Sequence, residues 1–279
     1  MIYVRRDATI IPKAVLDAAL AAQAELETLP PEKRAAFINS KAEVWRAFKS
    51  YLSQMSYGKC WYTESPPDHF FMDVDHFRPK NEAKRAATER DDGYEWLAFS
   101  WENFRLSAQR TNRLSTNEDT GEVEGKSTWF PLLDGSPKAS WNDRCDKQEK
   151  PILLDPASKD DVRLIEVLPD GRMGGSRFCL GSNKKRVEMS IRILGLNLPL
   201  LREARLRVMR EVQRLADILL DSMTAAQLSD VVADAMPLQR MRDGLEELTH
   251  PSRPYAAAAR AQLRGMGLGD LCTQPESLA

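Results

Sequence analysis

The sequence predicts an α+β protein in which a region of short strands sits between helices at both ends. Three observations carry this expectation. Apolar residues recur at helical spacing before Gly58, residues 58–135 turn rich in aromatics, Asn, Asp and Pro, and helical spacing returns after Gly181. At 279 residues the chain has room for one large domain or two small ones. The changes of character divide it into N-terminal helices (1–57), a core with inserted loops (58–180) and a C-terminal helical region (181–279).

From Pro12 to Thr28 the alanine-rich stretch places Val15, Leu16, Ala19, Leu20, Ala22 and Leu26 mostly at helical spacing, and Pro30-Pro31 stops it. Pro31 suits the first turn of a second helix running to about Met55, with Phe37, Ile38, Val44, Trp45, Phe48, Tyr51 and Leu52 on its apolar face. Strands are expected around Phe70 to Val74 and Ser100 to Leu106. Asn117 to Glu124, with Glu118, Asp119, Glu122 and Glu124 around Gly121, reads as a solvated loop. Pro151 to Leu154 and Val162 to Leu168 read as strands, and the turn Pro169-Asp170-Gly171 makes the latter half of a hairpin. Helical periodicity then runs to Ile193, and over Leu198 to Leu220, Thr224 to Ala235 and Arg253 to Leu263. No repeated period is present.

Forty Lys+Arg against 41 Asp+Glu give a net charge of −1, which excludes an obligate polycation. With 42% hydrophobic and 29% charged residues the chain is too apolar to be wholly disordered. No apolar run approaches the ~18 residues of a membrane span, and Lys13 and Asp17 interrupt what would follow a secretory start, so a reducing cytoplasm is expected. The four cysteines, Cys60, Cys145, Cys179 and Cys272, are too scattered for a Cys-only zinc site. The near balance of charge hides a basic stretch. Between Asn183 and Arg214 stand Lys184, Lys185, Arg186, Arg192, Arg202, Arg205, Arg207, Arg210 and Arg214, against Glu188, Glu203 and Glu211. That pattern suits either a phosphate-binding face or a solvated helix face with internal ion pairs.

Histidine is scarce, with only His69, His76 and His250, and attention falls on His76 in Asp73-Val74-Asp75-His76-Phe77-Arg78-Pro79-Lys80. The first residues alternate as a strand does and Pro79 prevents simple continuation, so Asp75 and His76 belong at a strand end, on opposite sides. A natural division gives a metal to Asp75 and the attacking water to His76, whose neutral imidazole, with a reference pKa of ~6.5, accepts a proton near physiological pH. Asn103 follows in Trp101-Glu102-Asn103-Phe104, and Asn112 in Arg110-Thr111-Asn112-Arg113. His69 and His250 carry no expected role, and the tryptophans are expected in the core.

Asp-His, then Asn, then Asn nine residues later resembles the HNH motif, a ββα-metal finger in which two strands and a helix surround one divalent ion. The fold expectation thus sharpens to an HNH finger embedded between N-terminal helices and a C-terminal helical region. The resemblance implies metal ligands at Asp75 and Asn112, and Asn103 orienting His76 through its second ring nitrogen or its backbone. Arg78, Lys80 and Arg113 would contact phosphates, surface ion pairs being the other reading of those three. A hard ion on carboxylate and amide oxygens, Mg²⁺ or Mn²⁺, would neutralise charge on the phosphate while His76 takes the proton.

Gly58-Lys59-Cys60-Trp61-Tyr62, Tyr94-Glu95-Trp96-Leu97-Ala98, Phe130-Pro131-Leu132, Pro151-Ile152-Leu153-Leu154-Asp155-Pro156, Asp170-Gly171 and Leu194-Gly195-Leu196-Asn197 extend the resemblance. Over residues 55–207 or so, the order is similar to that of PtuB-like HNH endonucleases of Septu and retron-associated antiphage systems. It implies DNA cleavage in defence and a PtuA-like ABC-type ATPase partner. A nuclease-like binding subunit without catalysis and an RNA-cleaving HNH nuclease are the alternatives. The chain departs from the family where Thr63 stands in place of a second zinc cysteine after Cys60, and Arg110 and Thr111 precede Asn112, so no structural zinc is expected. Trp61, Tyr62, Trp96 and Trp101 would brace the finger instead. A long insertion, Ser115 to Thr128, separates Asn112 from Phe130 and contains Lys126.

Overall fold

The computed structural model describes residues 1–68, 71–113, 115, 116, 121, 123–228 and 235–273. His69, Phe70 and most of the acidic loop (Asn117, Glu118, Asp119 and Glu122) lie outside the described residues. Helix α1 (Lys13–Glu27) buries Ala19, Ala22 and Leu26, one stripe at helical spacing, whereas Leu20, expected on the same face, is exposed. The helix expected from Pro31 to Met55 breaks into α2 (Pro31–Ser40), α3 (Ala42–Arg46) and α4 (Lys49–Met55). At the first break Ser40 Oγ bonds back to Phe37 O at 2.7 Å, and Lys41 leaves helical geometry with φ −103° and ψ 30°. Side-chain competition of this kind weakens a helix locally. The bends bring Trp45 and Phe48 onto the strands, with the Phe48 ring 5.3 Å from Phe104.

Strand β1 (Met72–His76) begins and ends two residues later than expected. After the small hairpin β2 (Glu82–Lys84) and β3 (Arg90–Asp92), a 3-10 turn over Trp101–Asn103 leads into β4 (Phe104–Ala108). β4 pairs antiparallel with β1, Met72 opposite Ala108 and His76 opposite Phe104, and runs directly into the short helix α5 (Gln109–Asn112). β5 (Ser115–Thr116) and β6 (Val123–Glu124) form a further antiparallel pair.

Pro151 to Leu154 is no strand. It makes one bridge, Leu132 to Pro151, then buries Ile152, Leu153 and Leu154 in succession. Proline offers no N–H, and the Leu154 N–H goes to Ser190 Oγ at 2.9 Å, so no ladder can extend. Ser158 caps α6 (Lys159–Val162), delaying the next strand to β7 (Ile165–Val167), which turns at Gly171 into β8 (Met173–Gly175) as the turn chemistry predicts. Gly171 has φ +78°, and a Cβ there would stand 2.8 Å from Arg202 O.

Helices α7 (Asn183–Ile193), α8 (Pro199–Leu228), α9 (Ala235–Thr249) and α10 (Ala256–Gly265) complete the fold, a mixed α+β arrangement. Of the expected helix Thr224 to Ala235, the first residues continue α8, residues 229–234 lie outside the described residues, and Ala235 opens α9. No helix among the described residues is long and apolar enough to cross a membrane. The largest core unites Leu26, Phe48, Trp61, Phe104, Leu106, Leu194, Leu201 and Tyr255, and so draws on all three segments of the chain. A second core gathers Phe77, Tyr94, Trp96, Phe130, Leu153 and Ile193 beside the end of β1. Trp61, Tyr62 and Trp96 are buried, and Trp101 is half-buried against the largest core.

Candidate functional site

The site is built on the end of β1, where alternation sends Asp75 and His76 to different surroundings. Asp75 is 3% exposed. Its Oδ2 accepts from the Tyr62 hydroxyl at 2.7 Å, and its Oδ1 from Lys126 Nζ at 2.7 Å. Lys126, 1% exposed, also donates to His76 O at 2.6 Å. Burial and the neighbouring carboxylate push the Tyr62 phenol well above its usual range, so it remains a donor. Main-chain bonds seat both partners. Trp61 N donates to Leu106 O on β4, while Lys126 N and Ser127 N donate to Thr111 O and Asn112 O at the end of α5.

His76 is 8% exposed, its ring edge-to-face with Trp45 at 5.3 Å and Phe104 at 5.0 Å. Its Nε2 lies 2.9 Å from Ala98 O. A carbonyl can only accept, so Nε2 carries the proton and Nδ1 keeps the lone pair. Burial above all, with the charges of Lys80 and Lys126 adding to it against the Ala98 hydrogen bond, pushes the imidazole down to about 3. It is therefore neutral at physiological pH and a weaker base than its type alone implies.

Asn103, 6% exposed, clamps the chain just beyond His76. Its Oδ1 accepts from Arg78 N at 2.8 Å, its Nδ2 donates to Arg78 O at 2.9 Å, and its main-chain carbonyl accepts from Phe77 N at 2.8 Å. It thus orients the strand end through the backbone, while the second ring nitrogen expected for it belongs to Ala98. Asn112 is half-buried in α5 with no side-chain hydrogen bond among the described residues.

The three expected phosphate contacts differ in availability. Arg78 is held by Glu149 at 3.2 Å and Asp146 O at 2.6 Å, and Glu149 also takes bonds from Tyr94 OH and Ala139 N. Arg113 is exposed and forks onto Asp73. Lys80 lies over the Trp45 ring at 4.9 Å with no ion pair among the described residues, its ammonium pushed down by burial and then by Lys126. Much of the basic stretch is also committed internally. Lys185 pairs with Asp134, Arg186 with Asp161 and Arg210 with Glu203, while Arg205 is buried against Gly171 O and Leu196 O.

Asp75 and Asn112 carry the oxygens a hard divalent ion prefers. As the side chains stand they do not fit one, because both carboxylate oxygens of Asp75 are taken and the Lys126 ammonium lies where a cation would bind. Among the described residues no three His, Cys, Asp or Glu side chains form a metal-holding group. Cys60 Sγ accepts from Ala108 N at 3.3 Å and Thr63 Oγ1 meets Ser65 Oγ at 2.8 Å. Lys126 and Tyr62, the latter expected only to brace the finger, hold Asp75, and Glu149 has no expected role. The lysine before Phe130-Pro131 and the tyrosine after Cys60-Trp61 are the signals that would have found the first two.

Fold and site together define an α+β protein whose strand–strand–helix unit carries an aspartate and a histidine at one strand end, clamped by an asparagine. No family model matches the chain. It is similar along most of its length to the Septu protein PtuB of Bacillus mycoides (strain KBAB4), with 28% identity over 277 residues that span 92% of this chain and 88% of that protein.

Proposed function

We propose that this chain is an HNH-type endonuclease that hydrolyses phosphodiester bonds in DNA, the nuclease effector of a Septu-like antiphage system acting with a PtuA-like ABC-type ATPase. The observation that carries the reading is the imidazole of His76. Its tautomer is set by Ala98 O and its strand end is clamped by Asn103, which supports Nδ1 as the proton acceptor. In the reaction a water oxygen attacks phosphorus, its proton passes to Nδ1, and the bond to the 3′ oxygen breaks with its electron pair on that oxygen, which is protonated from solvent. The imidazolium then returns its proton to solvent. A phosphate anion beside Lys80 and Lys126 would offset the positive charges that weaken the base. As they stand, the Asp75 donors are held by Tyr62 and Lys126 and do not fit a divalent ion.

A nuclease-like binding subunit is the second reading, favoured by the burial of His76 and by the closed Asp75–Lys126 pair. The two separate on incubation of the purified protein with supercoiled plasmid and with RNA, in Mg²⁺ or Mn²⁺, beside His76→Ala. Cutting of plasmid that falls by about 10²- to 10⁴-fold in the variant is expected of general-base loss. Equal cutting by both proteins would refute the assignment, RNA-only cutting would redirect it, and no cutting with or without the ATPase would favour the binding subunit.

A further inference from the structure

Lys126 is the buried cation that the motif leaves without a task. It reaches Asp75 Oδ1 and His76 O from a segment far along the chain, which main-chain bonds among the described residues hold in place: Gly125 N to Ile193 O, Lys126 N to Thr111 O and Ser127 N to Asn112 O. The two neighbours of Lys126 have left-handed backbones, Gly125 with φ 116° and Ser127 with φ 42°. For serine that conformation is costly and must be imposed by its surroundings. The chain is thus bent to deliver one ammonium to one carboxylate.

The oxygens this ammonium touches, a carboxylate and a carbonyl, are those a hard divalent ion would choose, and the half-buried amide of Asn112 lies on the adjoining turn. Lys80 adds a second positive charge nearby. A free dication meets a carboxylate already neutralised, with its second oxygen held by Tyr62.

We infer that Lys126 is a tethered internal cation that competes with a divalent metal for Asp75, so that metal is taken up only when this side chain withdraws. The inference rests on the nuclease reading for its biological sense, but its test does not need cleavage. Where the withdrawn state is a minor one, apparent affinity falls in proportion to its population, and a population below about one tenth weakens binding by about tenfold or more.

The test is Mn²⁺ binding to the full chain, followed by the paramagnetic resonance of free Mn²⁺, for wild type, Lys126→Met and Asp75→Asn/Lys126→Met. Lys126→Met should bind at least about tenfold more tightly than wild type, and the double variant should lose that gain. Equal binding by wild type and Lys126→Met would overturn the competition, as would a gain that persists without Asp75. Should Lys126→Met fail to fold, amine labelling of the wild type read by mass spectrometry replaces it. Lys126 should be protected without metal and become reactive as Mn²⁺ is added. Protection unchanged at saturating Mn²⁺ would overturn the inference. Competition without cutting of any nucleic acid leaves the inference standing and removes the nuclease reading. Cutting without competition does the reverse.

Discussion

Replacing Asn103 by alanine should loosen the strand end that carries His76 while leaving the imidazole tautomer alone. The substitution removes two hydrogen bonds to the main chain of Arg78, at 2.8 and 2.9 Å, from a side chain that is 6% exposed. Each lost bond leaves a backbone group short of a partner in a place with little water, at about 1–3 kcal/mol. Partial rehydration at half-buried Arg78 brings the pair to about 2–4 kcal/mol. For a chain of this size, each kcal/mol lowers the melting temperature by roughly 2–4 °C. Denaturant unfolding supplies the first measurement. The second is the ¹⁵N spectrum of the His76 ring, which should keep its proton on Nε2, since Ala98 and not Asn103 holds that nitrogen. An unfolding free energy within about 0.5 kcal/mol of wild type would refute the clamp. A proton moved to Nδ1 would show that Asn103 acts on the ring after all.

Three further outcomes are expected. Arg105, buried and opposite Asp75 on β4, forks onto the half-buried Asp155 at 2.8 and 2.6 Å, so Arg105→Met should leave that carboxylate without its cation and lower unfolding free energy by about 3 kcal/mol; wild-type stability would refute it. Burial raises the Asp155 carboxyl, but the Arg105 charge and hydrogen bonds outweigh it and hold the group below its usual 3.8. A depressed folded value stabilises above the unfolded one and is lost as pH falls through the folded one, so between about pH 5 and pH 2 wild type should lose more stability than Asp155→Asn. Gly171→Ala should cost about 2 kcal/mol or more in the same unfolding assay, since a Cβ meets Arg202 O at 2.8 Å on a backbone with φ +78°.

Local chemistry made several features legible before any coordinates. The stripe of α1, the turn at Pro169-Asp170-Gly171 and the strand entering Asp75-His76 depend on residues within a few positions of one another, so periodicity and turn preference suffice. What tertiary packing decided lies at long separation. The docking of Trp45 on His76 of β1 and of Phe48 on Phe104 of β4 holds one periodic stretch as three helices, although its apolar spacing suits a continuous one. The partner of His76 Nε2 is a backbone carbonyl, which every residue type carries and no motif can name. Lys126 stands 51 positions from Asp75 and Glu149 71 from Arg78, distances at which the route of the chain, and not residue type, decides which charges meet. A carboxylate in a motif therefore declares which chemistry it is able to do, while the cation beside it is set by the fold that removes both from water.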